Sequence, residues 1–246
     1  MCSFNSFNAT NMNESERHRS NRRTGISLVV DASNPVIFTG ILDASGKWLA
    51  QANNEGMALE VIFPAIEKHL RVSEIELAVI DRYLYCEGPG STLGLRLVAM
   101  ALETWRRLTP KQPSLYAYNS LQFVAACLLL DSPEINDTLI VADWKKGAWN
   151  AVYIRDHKIQ ETMPVEQAEL DDWKGLRFHL PQRKGWQAPP ANATTLHYDP
   201  SRLPEVLKNN ELLRTVDSVE LFASTGPSFQ KWTPDRHRAP HATNDG

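Results

Sequence analysis

Cysteine is scarce in this chain, with only Cys2, Cys86 and Cys127 among 246 residues. None of them stands in a C-x-x-C pair or beside a histidine, which argues against a disulfide framework and against a zinc site, and leaves reduced, structural thiols. No apolar run approaches the roughly 18 residues of a membrane span, and the first residues lack the apolar stretch of a secretory leader. A cytoplasmic protein with no membrane contact is the expectation. Excess positive charge is also missing: 26 Lys and Arg against 29 Asp and Glu give a formal net charge of −3. An autonomous nucleic-acid binder normally carries a basic surplus, so any RNA role would be shared with a partner. His pairs at one-turn spacing are absent from every element expected below; His237 and His241 are four apart but in a polar tail, and no metal is expected.

What is present is a globular composition, 42% hydrophobic, in a length that holds one large core or two modest ones. Residues 1–24, rich in Asn, Ser and Arg, read as a disordered arm; 25–135 read as a first lobe, 136–232 as a smaller second one, and 233–246 as a polar tail. The arm's Arg17, Arg19, Arg22 and Arg23 are read as solvated, with contact to RNA phosphates as the alternative. Order begins with ISLVVD (Ile26 to Asp31), an apolar β-branched run, followed by VIFTGIL and KWLAQA across tight turns, which makes an antiparallel meander. In GMALEVIFPAIEKHL the period changes: Leu59, Ile62, Phe63, Ile66 and Leu70 share one helical face, with a kink expected at Pro64. Ser73 and Glu76 match a capping box, and RYLYC alternates as a strand. A second helix is expected from Leu93 to Leu108, then a strand SLYAY, then a helix NSLQFVAACLLL capped by Asn119 or Ser120. TLIVAD, AWNAVYIRD and KIQETM restart the meander at Thr138. Residues 164–200 carry little pattern, RLPEVLKNNELLRTV recovers a helical stripe, and SVELFA (Ser218 to Ala223) reads as a strand.

The stretch EGPGSTLGLRL, Glu87 to Leu97, stands between a strand and a helix, the order that offers backbone N–H groups and a helix dipole to an anion. It lacks the Lys-Ser/Thr of a phosphate-binding loop and the glycine spacing of a dinucleotide fingerprint, and Pro89 removes a donor. Gly88 and Gly90 are therefore read as supplying special backbone angles and Ser91 as a helix cap; the alternative keeps Asp31, Gly90 and Ser91 near a bound nucleotide. Asp31 and Asp143 each end an apolar strand, where a phosphotransferase would want a carboxylate base, but both read as turn residues. Ser91 and Cys86 are the loop nucleophile candidates, and neither has an identifiable His partner. DWKKGAW mixes Trp144 and Trp149 with Lys145 and Lys146, which reads as a hairpin turn, with a base-stacking patch as the alternative. VIFPAI and LVAMAL are apolar around most of the helix circumference, so each has a second face to bury; Val61, Ala65, Val98, Ala99 and Leu102 are expected to form a partner-binding surface. Burial within the chain is the alternative.

LVVDAS opening a meander, VIFPAIEKHL, EGPGSTLGLRL, NSLQFVA and VADWKKGAWNAVY stand in the order and spacing of a known family. The chain resembles the bacterial TsaB family of accessory proteins for threonylcarbamoyladenosine synthesis on tRNA, whose motif G-P-G-S-(F/Y)-T-G-(L/I/V)-R is matched by Gly88, Pro89, Gly90, Ser91, Gly94, Leu95 and Arg96. Thr92 and Leu93 replace the family's aromatic and Thr, and Ala58 stands near the place of a frequent His. The resemblance covers most of Ile26 to Tyr153, with a fainter echo in GPSFQKW. It implies an α/β, two-lobed actin-like ATPase (ribonuclease H-like) fold, with a mixed five-stranded sheet flanked by helices in the first lobe. It also implies a non-catalytic subunit that pairs with a TsaD-like catalytic paralogue, meets tRNA indirectly, and works with a TsaE-like ATPase in a larger complex. No cofactor is implied for the chain alone, while ATP or ADP belongs to the complex. An ATP-dependent phosphotransferase of the same fold and a homodimeric interaction protein are the alternatives.

Overall fold

The computed structural model describes residues 25–181, 188–209 and 212–224. The expected arm and tail, Cys2, His237, His241 and GPSFQKW lie outside the described residues. Strands β1 (Ser27–Asp31), β2 (Ile37–Leu42) and β3 (Trp48–Asn54) form the antiparallel meander, and β4 (Arg82–Gly88) and β5 (Ser114–Asn119) extend it in parallel from the other side of β1. β1 and β2 are buried along their whole length, which is why they read as continuous apolar runs, whereas edge strand β3 alternates between exposed and half-buried positions.

The first sheet has six strands, not the five expected: β12 (Arg214–Val216) returns from the end of the described chain and lies antiparallel on β5. Three residues are too short for a period to register, and what recruits them is the unpaired ladder edge of β5.

Helices α1 (Ala58–Val72) and α2 (Thr92–Leu108) cover one face of this sheet. Pro64 sits on the exposed side of α1, and the helix runs on through it. Ser73 does not open a helix: it closes α1, its N–H bonded to His69 O, and Leu77–Val79 is a single 3-10 turn. On the opposite face α3 (Ser120–Asp131) is capped by Asn119, whose Oδ1 accepts from Leu121 N at 3.0 Å and Gln122 N at 3.3 Å.

The second sheet starts with the hairpin of β6 (Thr138–Lys145) and β7 (Ala148–Arg155). The strand expected over 158–163 divides into β8 (Lys158–Ile159) and β9 (Met163–Glu166), both paired with β7; between them Gln160 O accepts from Gln122 and Thr162 donates to Asn119, side chains that draw the chain towards α3. After α4 (Gln167–Asp172), β10 (Leu176–His179) and β11 (Thr194–Thr195) add in parallel to β6, and α5 (Leu203–Asn209) follows. α3 lies between the two sheets, and its buried Phe123, Val124 and Ala126 join residues of both sheets and of α5 in one core. A helix apolar on every side is one buried on every side.

Ser218 to Ala223 form no strand. They run as a strap over α2 and β4: Val219 N donates to Glu103 Oε1 (2.7 Å), Glu220 exchanges backbone bonds with Tyr85 Oη (2.9 and 3.0 Å), and Phe222 N donates to Glu87 O (2.8 Å). Side chains take most of these bonds, so no ladder forms. Ser224 then reaches Asn150 in the second sheet. No helix among the described residues is long and apolar enough to cross a membrane.

His69 on α1 is buried, with Nε2 2.9 Å from Thr39 Oγ1, which also accepts from Asn54 Nδ2 at 3.1 Å. Burial, first, and the charge of Lys68 hold the His69 pKa below the ordinary histidine value of 6.5. A lowered histidine pKa stabilises the fold fully above 6.5 and loses that contribution as pH falls below it. Denaturant midpoints should therefore drop between pH 7 and 5 in the native chain and drop less in His69→Leu; parallel pH profiles would remove the effect.

Candidate functional site

The parallel strands of an α/β sheet present ligands with their carboxyl ends, at the point where strand direction reverses. Here that point is the end of β1, antiparallel to β2 on one side and parallel to β4 on the other, and it carries Asp31. Asp31 is 1% exposed. Its Oδ1 accepts from Ser33 N at 2.8 Å; its Oδ2 accepts from Tyr118 Oη at 2.7 Å and from Tyr198 Oη at 2.5 Å. Tyr198 Oη in turn accepts from Ser33 Oγ at 3.3 Å, and Cys86 Sγ lies 3.8 Å from it. Burial, followed by the Asp31 carboxyl, pushes the two phenols and the Cys86 thiol well above their ordinary values. Cys86 is a protonated core thiol and not a nucleophile.

The glycine loop lies against this cluster as a clamp. A Cβ at Gly90 would stand 2.6 Å from Ser33 Cα and 2.7 Å from Ser33 O, and one at Gly94 would stand 2.6 Å from Ala32 O. Ser91 N donates to Ser33 O at 2.9 Å, Ser91 Oγ accepts from Gly94 N at 3.4 Å as the cap of α2, and Ser120 Oγ donates to Pro89 O at 2.8 Å. Gly88 has φ +112, an angle that favours glycine, and a Cβ there would also stand 3.1 Å from Leu95 Cδ1. Asp31, Gly90 and Ser91 are thus brought to one place through Ser33, which touches all three, and at Gly90 the loop lies on the turn without room for a methyl group. The Asp31 carboxyl is committed to three donors of the chain, and the Ser91 amide is turned onto Ser33.

Asp143 sits half-buried in β6 opposite Trp149, away from this cluster in sequence and sheet. Of DWKKGAW, Trp149 is buried with Nε1 bonded to Gln167 Oε1, and Lys145 lies 4.2 Å over the Trp144 ring and 3.8 Å from Glu166. Among the described residues no group of three His, Cys, Asp or Glu side chains is placed to hold a metal ion.

The expected partner surface needs correction. Ala65, Val98 and Leu102 are buried against the first sheet, and Val61 and Ala99 are half-buried. The outward apolar side chains are instead Leu59 (62% exposed), Phe63 (42%) and Met100 (68%), with Leu93 and Leu108 towards the ends of α2. Phe63 meets Trp105 of α2 edge-on at 5.7 Å, so the two helices share this face. An all-apolar run has no polar residue to set the phase of the helix. The flanking charges do set it: Glu60, Glu67, Lys68 and Arg71 bracket Phe63, and Arg96 and Arg107 bracket Met100.

Tyr198 carried no signal in the sequence, since it stands in a patternless stretch.

No family model matches the chain, and no curated protein does. Among solved structures it is similar to YeaZ from Pseudomonas aeruginosa, at 13% identity and a TM-score of 0.54 over 75% of this chain and 90% of that one. It is also similar to an uncharacterized protein with similarity to peptidase YEAZ from Pseudomonas aeruginosa, at 13% identity and a TM-score of 0.58 over 81% and 99%. These likenesses are of fold. With its 3-2-1-4-5 strand order and paired mixed sheets, the chain has the actin-like α/β fold.

Gly90→Ala should lower unfolding free energy by about 1–3 kcal/mol through overpacking against Ser33, and Ser91→Ala by about 1 kcal/mol through loss of the cap. Urea titration reads both; a neutral Gly90→Ala would mean that the loop does not clamp the turn.

Proposed function

We propose that this chain is a non-catalytic accessory subunit of TsaB type, which scaffolds a TsaD-like catalytic paralogue in threonylcarbamoyladenosine synthesis on tRNA. The YeaZ likeness, YeaZ being TsaB by another name, and the motif at Gly88 to Arg96 support the family reading. The observation that carries the scaffold role is the outward apolar rib of Leu59, Phe63 and Met100 on the two helices that cover the first sheet. Exposed large side chains on neighbouring helices, with exposed Glu60, Glu67, Arg96 and Arg107 on the same two helices, have the composition of an interface, apolar side chains among charged ones. The non-catalytic part is supported by the spent Asp31 carboxyl and the protonated Cys86, which also weigh against the phosphotransferase alternative. In this reading the chain offers tRNA no binding surface of its own, ATP or ADP is held by the partners, and the work is done in the cytoplasm. Self-pairing through the same rib is the behaviour expected of the chain when alone.

Two exposed substitutions separate docking from folding. Leu59→Glu and Met100→Glu should each weaken copurification with the cognate TsaD-like enzyme by about thirtyfold or more, as loss of an interface anchor does. Melting temperature should stay near the native value, because both side chains face solvent. In cells depleted of the gene, mass spectrometry of tRNA nucleosides should show threonylcarbamoyladenosine falling. Unchanged pairing sinks the rib as the docking face; a persistent nucleoside sinks the reading as a whole.

A further inference from the structure

The pocket at the carboxyl end of the first sheet is filled from within the chain. Tyr198 arrives from the segment between β11 and α5, more than 160 residues beyond Asp31 in the sequence, and its hydroxyl both donates to Asp31 Oδ2 and accepts from Ser33 Oγ. Its ring is backed by Phe123 of α3, edge-on at 5.6 Å, and Phe123 also touches Tyr118 at 5.8 Å. Directly after it the chain is pinned by Asp199 Oδ1, which accepts from Ser201 N at 3.0 Å. Ser201 O then accepts from Trp48 Nε1 at 2.8 Å. Trp48 is itself held, edge-on to Phe38 at 5.2 Å and so close over β2 that a Cβ at Gly40 would lie 2.5 Å from its ring. The segment 198–201 is fastened to the first sheet at two points, one at the end of β1 and one on β3.

We propose that Tyr198 is an intramolecular plug: a phenol built into the chain that occupies the ligand end of the first sheet, fixes the 198–201 segment across it and shuts the pocket to nucleotide. The chemistry suits a hydroxyl and excludes a phosphate. Asp31 Oδ2 accepts and Ser33 Oγ donates, and one neutral phenol serves both, whereas an anionic group in its place would bring the carboxyl no proton to share. Burial keeps that phenol protonated through the physiological range. Gly90 and Ser91, pressed onto Ser33 from the far side, hold the turn in the shape the hydroxyl meets. The plug concerns this chain alone and holds whether or not the accessory reading does.

Amide hydrogen exchange on the full chain tests it, in the native protein, Tyr198→Phe and Tyr198→Ala, with and without Mg-ATP. Tyr198→Phe keeps the ring on Phe123 and removes only the hydroxyl. It should raise exchange about tenfold at residues 31–34 and 196–203, through loss of the hydroxyl's buried hydrogen bonds, while Val165 of β9 and Leu170 of α4 keep native rates. Tyr198→Ala should exceed it at the same residues, and if that variant does not accumulate folded, Tyr198→Phe decides alone. Mg-ATP should leave native rates unaltered. Native rates around Ser33 in Tyr198→Phe, a uniform rise across both sheets, or protection of the Ser33 turn by Mg-ATP in the native chain would each overturn the plug. No partner enters the readout, so its failure is distinct from failed docking.

Discussion

A carboxyl group with almost no access to water has to find its donors inside the protein, and Asp31 finds three, one from its own turn and two from distant parts of the chain. The Ser33 amide bends the β1–β2 turn, Tyr118 brings the end of β5 alongside, and Tyr198 brings the segment before α5. Removing the acceptor would strand all three donors in a dry interior, a loss of about 3–5 kcal/mol of the kind seen when buried polar pairs are broken. The same demand explains the glycines: loop and turn can approach to Cβ contact distance only if one of them has no Cβ.

Around this knot the apolar helices divide by how many faces they bury. α3 is enclosed by two sheets and contributes to a core shared between them. α1 and α2 cover a single sheet face, and what remains of their circumference is left to solvent with Leu59, Phe63 and Met100 on it. The contrast gives the exposed side chains their meaning, since a helix with charges at Glu60, Glu67 and Arg71 has no need of a phenylalanine between them for its own fold.

Much of this was legible in the residues. The meander, α1, α2 and α3 with its Asn119 cap, and the cap role of Ser91 all follow from period and local chemistry, which are short-range. The phase of α1 and α2 was legible in their charges and was obscured by taking the longest apolar runs at face value. Tyr198, β12 and the strap were not legible, because each is defined by a partner far away in sequence: a carboxyl, a free ladder edge, a phenol and a carbonyl. Asp31, Gly90 and Ser91 read first as turn and cap residues, with a nucleotide as the alternative, and the groups that touch them through Ser33 belong to the chain.

β12 carries an implication for how the protein is made. Until residues 214–216 have left the ribosome, β5 is a bare edge whose outward backbone groups have no partner, while its other side pairs with β4. A nascent chain in that condition offers its ladder to any extended neighbour. Products that stop before Arg214 would emerge with that seam open, so early termination should yield aggregates rather than a smaller folded unit.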